Sequence, residues 1–425
     1  MKVLIVNTYD KGGAANSCKR LHLALLNKGI SSKVLLKYKQ NNWAESSEYF
    51  VPFIKFSKQQ KTKNKLKRIL WELKIYSPKT KKDFNQDFLN EREKGLELYS
   101  FPNSNFDITE TDLYKEADII NLHWVANFLD YKSFFEKNTK PVVWTLHDMN
   151  PFSGGEHYIE EYLGIDDFGF PIRREWSEEE LKVAKENIAI KKQGMSKVDN
   201  LTIVAPSEWL AQEAKKSEVF KGKSIYCIPY GLDPKIYSSR DQAYSRDLLN
   251  IPGDKKVILF VADSISNNRK GFVYLKRAFQ QLSSKNVVLC AIGQKNSELE
   301  CFDNILELGP IYDERLMSVA YSAADVFVIP SLMDNLPNTV LESIMCGTPV
   351  IGFPVGGIPE MIIDGENGLL TKEISVSSLV ETLSKFLDSP ANFDRKRIRE
   401  NAIEKYDQKI QAENYVKLFK EVFHK

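Results

Sequence analysis

Short, continuously apolar runs that close on a glycine loop or a histidine alternate with helix-patterned stretches along most of the chain. This alternation restricts the fold more than any other feature. Residues 3–7 form the first such run, and Asp10-Lys11-Gly12-Gly13 follows it. Ala14, Cys18, Leu21 and Leu25 then recur at helical spacing, Gly29 is a helix stop, and Val34-Leu35-Leu36 is a second strand. A strand, a glycine loop, a helix and another strand are the opening of a doubly wound α/β sheet.

The pattern resumes at residues 117–123 and 141–148, two apolar runs that reach His123 and His147. Residues 150–174 are rich in Gly, Pro and aromatics and read as a long loop. Ser207 is placed to cap the helix after the strand at 201–205. Past the punctuated segment Ile228-Pro229-Tyr230-Gly231-Leu232-Asp233-Pro234 the alternation starts afresh, with strands at 257–262, 287–292, 305–308, 326–329 and 349–352. Two doubly wound domains in 425 residues predict a ligand cleft at the carboxyl ends of their strands. That rule picks out Gly12-Gly13, His123, His147, the 263–271 loop, Gly293 and the 330–337 loop.

Composition removes other classes. Lys and Arg total 59 and Asp and Glu 57, a net charge of +2, which argues against a nucleic-acid binder. Five scattered cysteines form no C-x-x-C pair, so neither a zinc site nor a disulfide framework is predicted. The short apolar start is no signal peptide, and no run is long enough to span a bilayer, so a cytoplasmic protein is expected.

The richest segment is Ser331-Leu332-Met333-Asp334-Asn335-Leu336-Pro337-Asn338-Thr339-Val340-Leu341-Glu342, followed by Gly356-Gly357-Ile358-Pro359-Glu360. A strand delivers a loop bearing Asp334, and the loop opens a helix bearing Glu342. The amides at that helix start are free for an anion. Two isolated carboxylates are usually a cap and a surface residue. Their place at a strand's carboxyl end shifts the balance toward a site.

These residues resemble the E-x7-E region of retaining glycosyltransferases of family 4, which share the two-domain GT-B fold. Here the pattern is Asp334-x7-Glu342, with Asp where Glu is usual. Gly12-Gly13 resembles the family's N-terminal glycine loop. Ala205-Pro206-Ser207 and the 228–233 segment resemble its interdomain stretches, with Tyr230 where Asn is common. Asn121-Leu122-His123-Trp124 and Trp144-Thr145-Leu146-His147-Asp148-Met149 are similar to bacterial exopolysaccharide enzymes of the colanic-acid type.

The resemblance implies an N-terminal Rossmann-like acceptor domain over 1–232 and a nucleotide-sugar domain over 233–400. The stretch 401–425 is a C-terminal helix that either extends from the second domain or packs back on the first. It implies transfer from a UDP- or GDP-sugar to a glycan or lipid-linked acceptor, with retention and with no cofactor or metal. Departing phosphate gains charge and needs fixed cations. By the resemblance Arg269 and Lys270 supply them, although Asp263 falls near the family's usual Arg and the loop is longer. Asp334 orients the donor sugar, Glu342 accepts from the ribose, and His147 reaches across to donor sugar or acceptor. Gly12, Gly13, Gly293, Asn335, Leu336, Pro337 and Asn338 complete the donor side. His123 shapes the acceptor side, and His157 in the long loop is ambiguous. The Cys-rich insertion found after Gly-Gly in many of the subgroup is replaced by Glu156.

One stretch, 55–82, stands apart. It opens and closes on lysine (Lys55, Lys82) and holds eleven basic residues against Glu72 alone. It is either a solvated helix face or a dock onto anionic lipid at the inner face of the plasma membrane, with Leu66, Ile69, Leu70, Trp71 and Leu73 as its apolar side. Two rivals to transferase function remain at this level. A GT-B sugar-nucleotide epimerase would act without an acceptor. A non-catalytic nucleotide-sugar-binding subunit would fit the Asp334 replacement.

Overall fold

The computed structural model describes residues 1–38, 47–49, 84–282, 286–294, 304–389 and 393–424. The basic stretch 55–82 lies outside them. In chain order the strands are β1 (Lys2–Tyr9), β2 (Ser31–Tyr38), β3 (Ser47–Tyr49), β4 (Ile119–Leu122) and β5 (Val142–Thr145). Next come β6 (Tyr162–Ile165), β7 (Pro171–Arg173), β8 (Leu201–Ala205) and β9 (Ser224–Cys227). The second half contributes β10 (Lys256–Ser264), β11 (Val287–Gln294), β12 (Ile305–Gly309), β13 (Val326–Ile329), β14 (Val350–Gly352) and β15 (Gly368–Leu370).

Seven strands form one parallel sheet in the order β3-β2-β1-β4-β5-β8-β9, and six form another in the order β12-β11-β10-β13-β14-β15. Both orders reverse direction beside the domain's first strand, at β1/β4 and at β10/β13. A crevice opens at such a switch point because the loops on either side leave to opposite faces of the sheet. The doubly wound pair of sheets expected from the sequence is therefore present, and its two switch points face one another across a cleft.

Alternation along β1 shows why the first sheet needs cover on both faces. Leu4 and Val6 pack with Phe128, Trp144 and Phe220. Val3 and Ile5 pack on the other side with Cys18, Leu21 and Leu25 of the Gly13–Asn27 helix and with Tyr415, Leu418 and Phe419 of the Gln408–Phe423 helix. The terminal stretch is thus two helices, Arg395–Tyr406 and Gln408–Phe423, and the second lies on the first sheet. The break falls at Asp407, whose side chain accepts from the Lys409 amide and so starts a new helix.

Two segments cross between the halves side by side. Leu232 N donates to Tyr406 O at 2.9 Å, and Gln408 N donates to Leu232 O at 2.9 Å. They fit only because residue 231 lacks a side chain: a Cβ on Gly231 would stand 2.5 Å from Gln408 Cα.

The expected long loop over 150–174 is in part a hairpin, β6 antiparallel to β7. It reaches over to the second half, where Tyr162 joins that core and Val376 N donates to Gly169 O at 3.0 Å. Strands this short carry no periodicity of their own, and docking stabilises them.

The crossing generates a prediction. Gly231→Val should destabilise the protein by roughly 1–3 kcal/mol through forced displacement of packed backbone. Urea denaturation followed by tryptophan fluorescence measures it, and an unchanged midpoint would show that the crossover has slack.

Candidate functional site

A cleft of about 890 Å³ lies between the two sheets. Gly12, Gly13, His147, Arg269, Lys270, Gly293, Asp334, Asn335, Leu336, Pro337, Asn338 and Glu342 all line it. The helices Gly13–Asn27 and Asn338–Met345 both begin at its wall, and neither has a side-chain cap or an acid in its first turn. Uncapped amides and the positive ends of two helix dipoles therefore face one cavity. The two starts touch across the gap, where Asn338 Nδ2 donates to Gly13 O at 3.1 Å.

Asp334 is held by cations. Lys270 Nζ lies 2.6 Å from its Oδ2 and Arg269 Nη1 3.3 Å from the same oxygen. Burial alone pushes this carboxyl up, but Lys270 and Arg269 outweigh it and hold it below the usual range. Arg269 also donates to Met333 O at 2.9 Å and sits 3.0 Å from Glu97 Oε1, with the Tyr158 ring 4.8 Å away. The basic pair is thus fixed in place by acids.

Two glycines make this loop packing possible. Gly271 has φ +68°, and a Cβ there would meet Pro330 O at 1.8 Å. Gly356 has φ +55°, and its Cβ would meet Asp334 O at 1.9 Å. Left-handed backbone at close approach is glycine's province.

His123 does not line the cleft; it is 2% exposed behind His147. By the resemblance it shapes the acceptor side; the structure sets it beside Trp124, His147 and Asp148 with its ring engaged in a relay. Asn121 Nδ2 donates to Val143 O and Thr145 Oγ1, which leaves Asn121 Oδ1 to accept from His123 Nε2 at 3.1 Å. A neutral His123 then accepts at Nδ1 from His147 Nε2 at 3.0 Å. His147 Nδ1 in turn accepts from the Tyr230 hydroxyl at 2.7 Å. Burial pushes His147 down to about 4, and burial with the neighbouring His147 drives His123 well below the ordinary value. Each tautomer is assigned from its partner. Tyr230, where the resemblance expects Asn, supplies the donor that ends the relay.

The ambiguous His157 belongs to the cleft wall. Its Nδ1 donates to Asp148 Oδ2 at 2.6 Å, and Asp148 also accepts from Trp124 Nε1 at 2.7 Å and from Asn150 N at 2.9 Å. Burial raises the Asp148 carboxyl, and His157 and the two other donors more than reverse it. Ser100 Oγ lies 3.0 Å from His157 Nε2, which completes a Ser–His–Asp line. Ser100 is 0% exposed, so no substrate reaches it and the line serves to orient Trp124.

Sequence reasoning passed over three groups. Glu97 braces Arg269 from a segment without strand or helix pattern. Glu156, Glu161 and Glu180 form a buried ion cluster with Arg92 and Arg174, with Arg174 Nη1 2.7 Å from Glu156 and 2.9 Å from Glu161. Burial and the nearby Glu156 push Glu161 up to about 7. Arg20 sits inside the first helix, where the apolar spacing gives no reason to expect a functional cation. It meets Glu342, whose Oε1 lies 2.8 Å from Arg20 Nη2. Among the described residues no group of three or more His, Cys, Asp or Glu is arranged to hold a metal ion.

Residues 241–405 match the family described as glycosyl transferases group 1. The matched segment is similar to a group 1 glycosyl transferase domain. It carries Arg269, Lys270, Asp334 and Glu342. The chain is 28% identical over 178 residues to the D-inositol 3-phosphate glycosyltransferase of Mycolicibacterium smegmatis, covering 39% of this chain and 40% of that protein. It is 30% identical over 221 residues to the protein of that name in Corynebacterium jeikeium, covering 47% and 52%. These matches span about half or less of each relative. Among solved structures, sucrose-phosphate synthase from Thermosynechococcus elongatus superposes with TM-score 0.68 at 18% identity, covering all of both chains. HepE of Anabaena in complex with UDP and glucose superposes with TM-score 0.65 at 15% identity, covering 99% of each. Likeness at that level concerns the fold, which is GT-B.

The relay yields a pH prediction. His147 and His22 are both pushed down to about 4 by burial, from an ordinary 6.5. Between those values the unfolded chain binds protons at these two sites that the folded chain refuses; Glu161, at about 7, acts the other way but is outnumbered, so stability should fall as pH drops from 6.5 toward 4. Urea midpoints across that range test the slope. A two-dimensional ¹⁵N-histidine spectrum should show His147 neutral with its proton on Nε2; a proton on Nδ1 would overturn the relay as drawn.

Proposed function

We propose that the chain is a retaining glycosyltransferase that moves a sugar from a nucleotide-sugar donor to a glycan or lipid-linked acceptor in bacterial surface polysaccharide synthesis. One observation carries the reading: Arg269, Lys270 and Asp334 meet two uncapped helix starts around a single interdomain cleft. A donor diphosphate needs that arrangement, because its charge grows as the glycosidic bond breaks and preorganised donors there lower the barrier. HepE has been solved with UDP and with UDP-glucose, which favours a uridine donor here. WaaG, a glycosyltransferase involved in lipopolysaccharide biosynthesis, has the same fold with TM-score 0.60 at 16% identity, which suits a cell-surface glycan.

In this reading Arg269 and Lys270 hold the diphosphate and keep Asp334 ionised beside the sugar's reacting carbon. The two uncapped starts add amide donors, and Glu342 accepts from the ribose. His147 takes a sugar hydroxyl at Nδ1 in exchange for Tyr230. Trp124, Asp148 and His157 lie on the wall opposite the donor loops, where the acceptor enters. Among the described residues no helix is long and apolar enough to cross a membrane. A lipid-linked acceptor would instead be met at the inner bilayer face by the basic stretch 55–82.

Thermal-shift and hydrolysis screens against UDP-, GDP-, TDP- and ADP-sugars identify the donor, since only a bound ligand stabilises the fold. Combined Arg269→Ala and Lys270→Ala should lower turnover on the order of 10²-fold or more. Asp334→Asn should reduce kcat more than it raises KM, and Glu342→Gln the reverse. A double variant with normal kinetics would move the phosphates elsewhere. Conversion of the donor sugar without any acceptor would make the protein an epimerase. For the stretch 55–82, flotation with anionic and neutral liposomes should recover the protein only with the former, and less at high salt.

A further inference from the structure

Arg20 reaches from the first domain to the second behind the donor half of the cleft, and among the described residues every hydrogen bond its guanidinium makes ends on the second domain. Nη2 lies 2.8 Å from Glu342 Oε1, 2.6 Å from Glu314 Oε1 and 2.9 Å from the Tyr237 hydroxyl. Nε lies 2.9 Å from Glu314 Oε1, and Nη1 3.1 Å from Asn338 Oδ1. The residue is 6% exposed. No side chain of its own helix shares the charge.

Glu342 lines the cavity and Arg20 does not. The arginine therefore stands behind the carboxylate and leaves its remaining lone pairs to a ligand. The groups facing Glu342 are Arg20 from the first helix, Glu314 and Tyr321 from the Glu314–Ala323 helix, and Tyr237 from the start of the second half, ahead of β10. Tyr321 donates to Glu342 Oε2 at 3.1 Å. Burial and Glu314 raise this carboxyl, and among these neighbours Arg20 is the cation that opposes them.

We propose that Arg20 is a positioning residue for donor binding: it keeps Glu342 ionised and ties that carboxylate to the opposite domain, so the nucleoside end of the donor is held tightly only when the two domains are closed. This rests on Glu342 meeting the donor. Arg20 touches no substrate. Without it the buried Glu342 faces Glu314, itself about one-third exposed, with no cation opposite, and holds its proton to higher pH than in the natural protein. A protonated Glu342 accepts fewer bonds from ribose hydroxyls, so affinity falls at low pH and returns as the pH rises.

The test is calorimetric binding of UDP and of GDP to the full chain between pH 6 and pH 8.5. Glu342→Gln should weaken the nucleotide that binds about tenfold at every pH. Arg20→Met should weaken it similarly at pH 6 and regain most of the loss by pH 8.5. Arg20→Lys, which keeps the cation without the fork, should remove the pH dependence and restore affinity in part. Arg20→Gln replaces Arg20→Met if circular dichroism shows the latter unfolded. A merely structural arginine would lower the melting temperature and leave the pH slope flat. Flat, wild-type-like or uniformly weakened binding in the arginine variants, with Glu342→Gln weakened, would overturn the inference alone. Wild-type binding by Glu342→Gln, or no binding of either nucleotide to the natural protein, would overturn the donor-site reading as well.

Discussion

The ion triad of Asp334, Lys270 and Arg269 is the contact on which the cleft depends. The loops after β10 and β13 would each be a mobile connection by themselves. Joined through one buried carboxylate, they become a single rim; Gly271 lets the two backbones approach, and Gly356, in the loop after β14, lets a third loop close on Asp334. An acid buried between two cations costs solvation, and the pair geometry must return that cost. It does so here with Glu97 also on Arg269, so the cluster is neutral as it stands, and an incoming diphosphate would compete with Asp334 and Glu97 for the two cations.

Much of the architecture was legible because it follows from local pattern. Residues 3–7, 257–262 and 326–329 are apolar runs of strand length, bounded by loops, and strands form there. Ser207 is a capping residue by type and by position, and it caps. The donor-side residues were legible for a different reason: Asp334, Glu342 and the Gly356-Gly357 pair lie close in the chain as well as in space.

What stayed hidden was chemistry assembled from distant positions. Arg20 and Glu342 are separated by more than three hundred residues and meet only because two domains close. His123 carried a signal, a histidine at a strand end, that did not tell a cleft residue from one buried behind it; the hydrogen-bond demand of Asn121 decides that. Glu97, Glu156 and Arg174 sit outside strands and helices, so nothing in the local pattern announces the contacts they make. The β6–β7 hairpin is the clearest case, since four- and three-residue strands gain their stability from the domain they reach across to.

The return of the Gln408–Phe423 helix to the first sheet has a consequence for how the chain is made. Val3 and Ile5 leave the ribosome about four hundred residues before the Tyr415 and Phe419 that cover them. At synthesis rates of roughly 5–20 residues per second, that face of the sheet waits tens of seconds for its partner. Throughout that interval the nascent first domain presents an apolar strip to whatever binds such surfaces, chaperones included. The piece that finishes the first domain is delivered only after the second domain has been made.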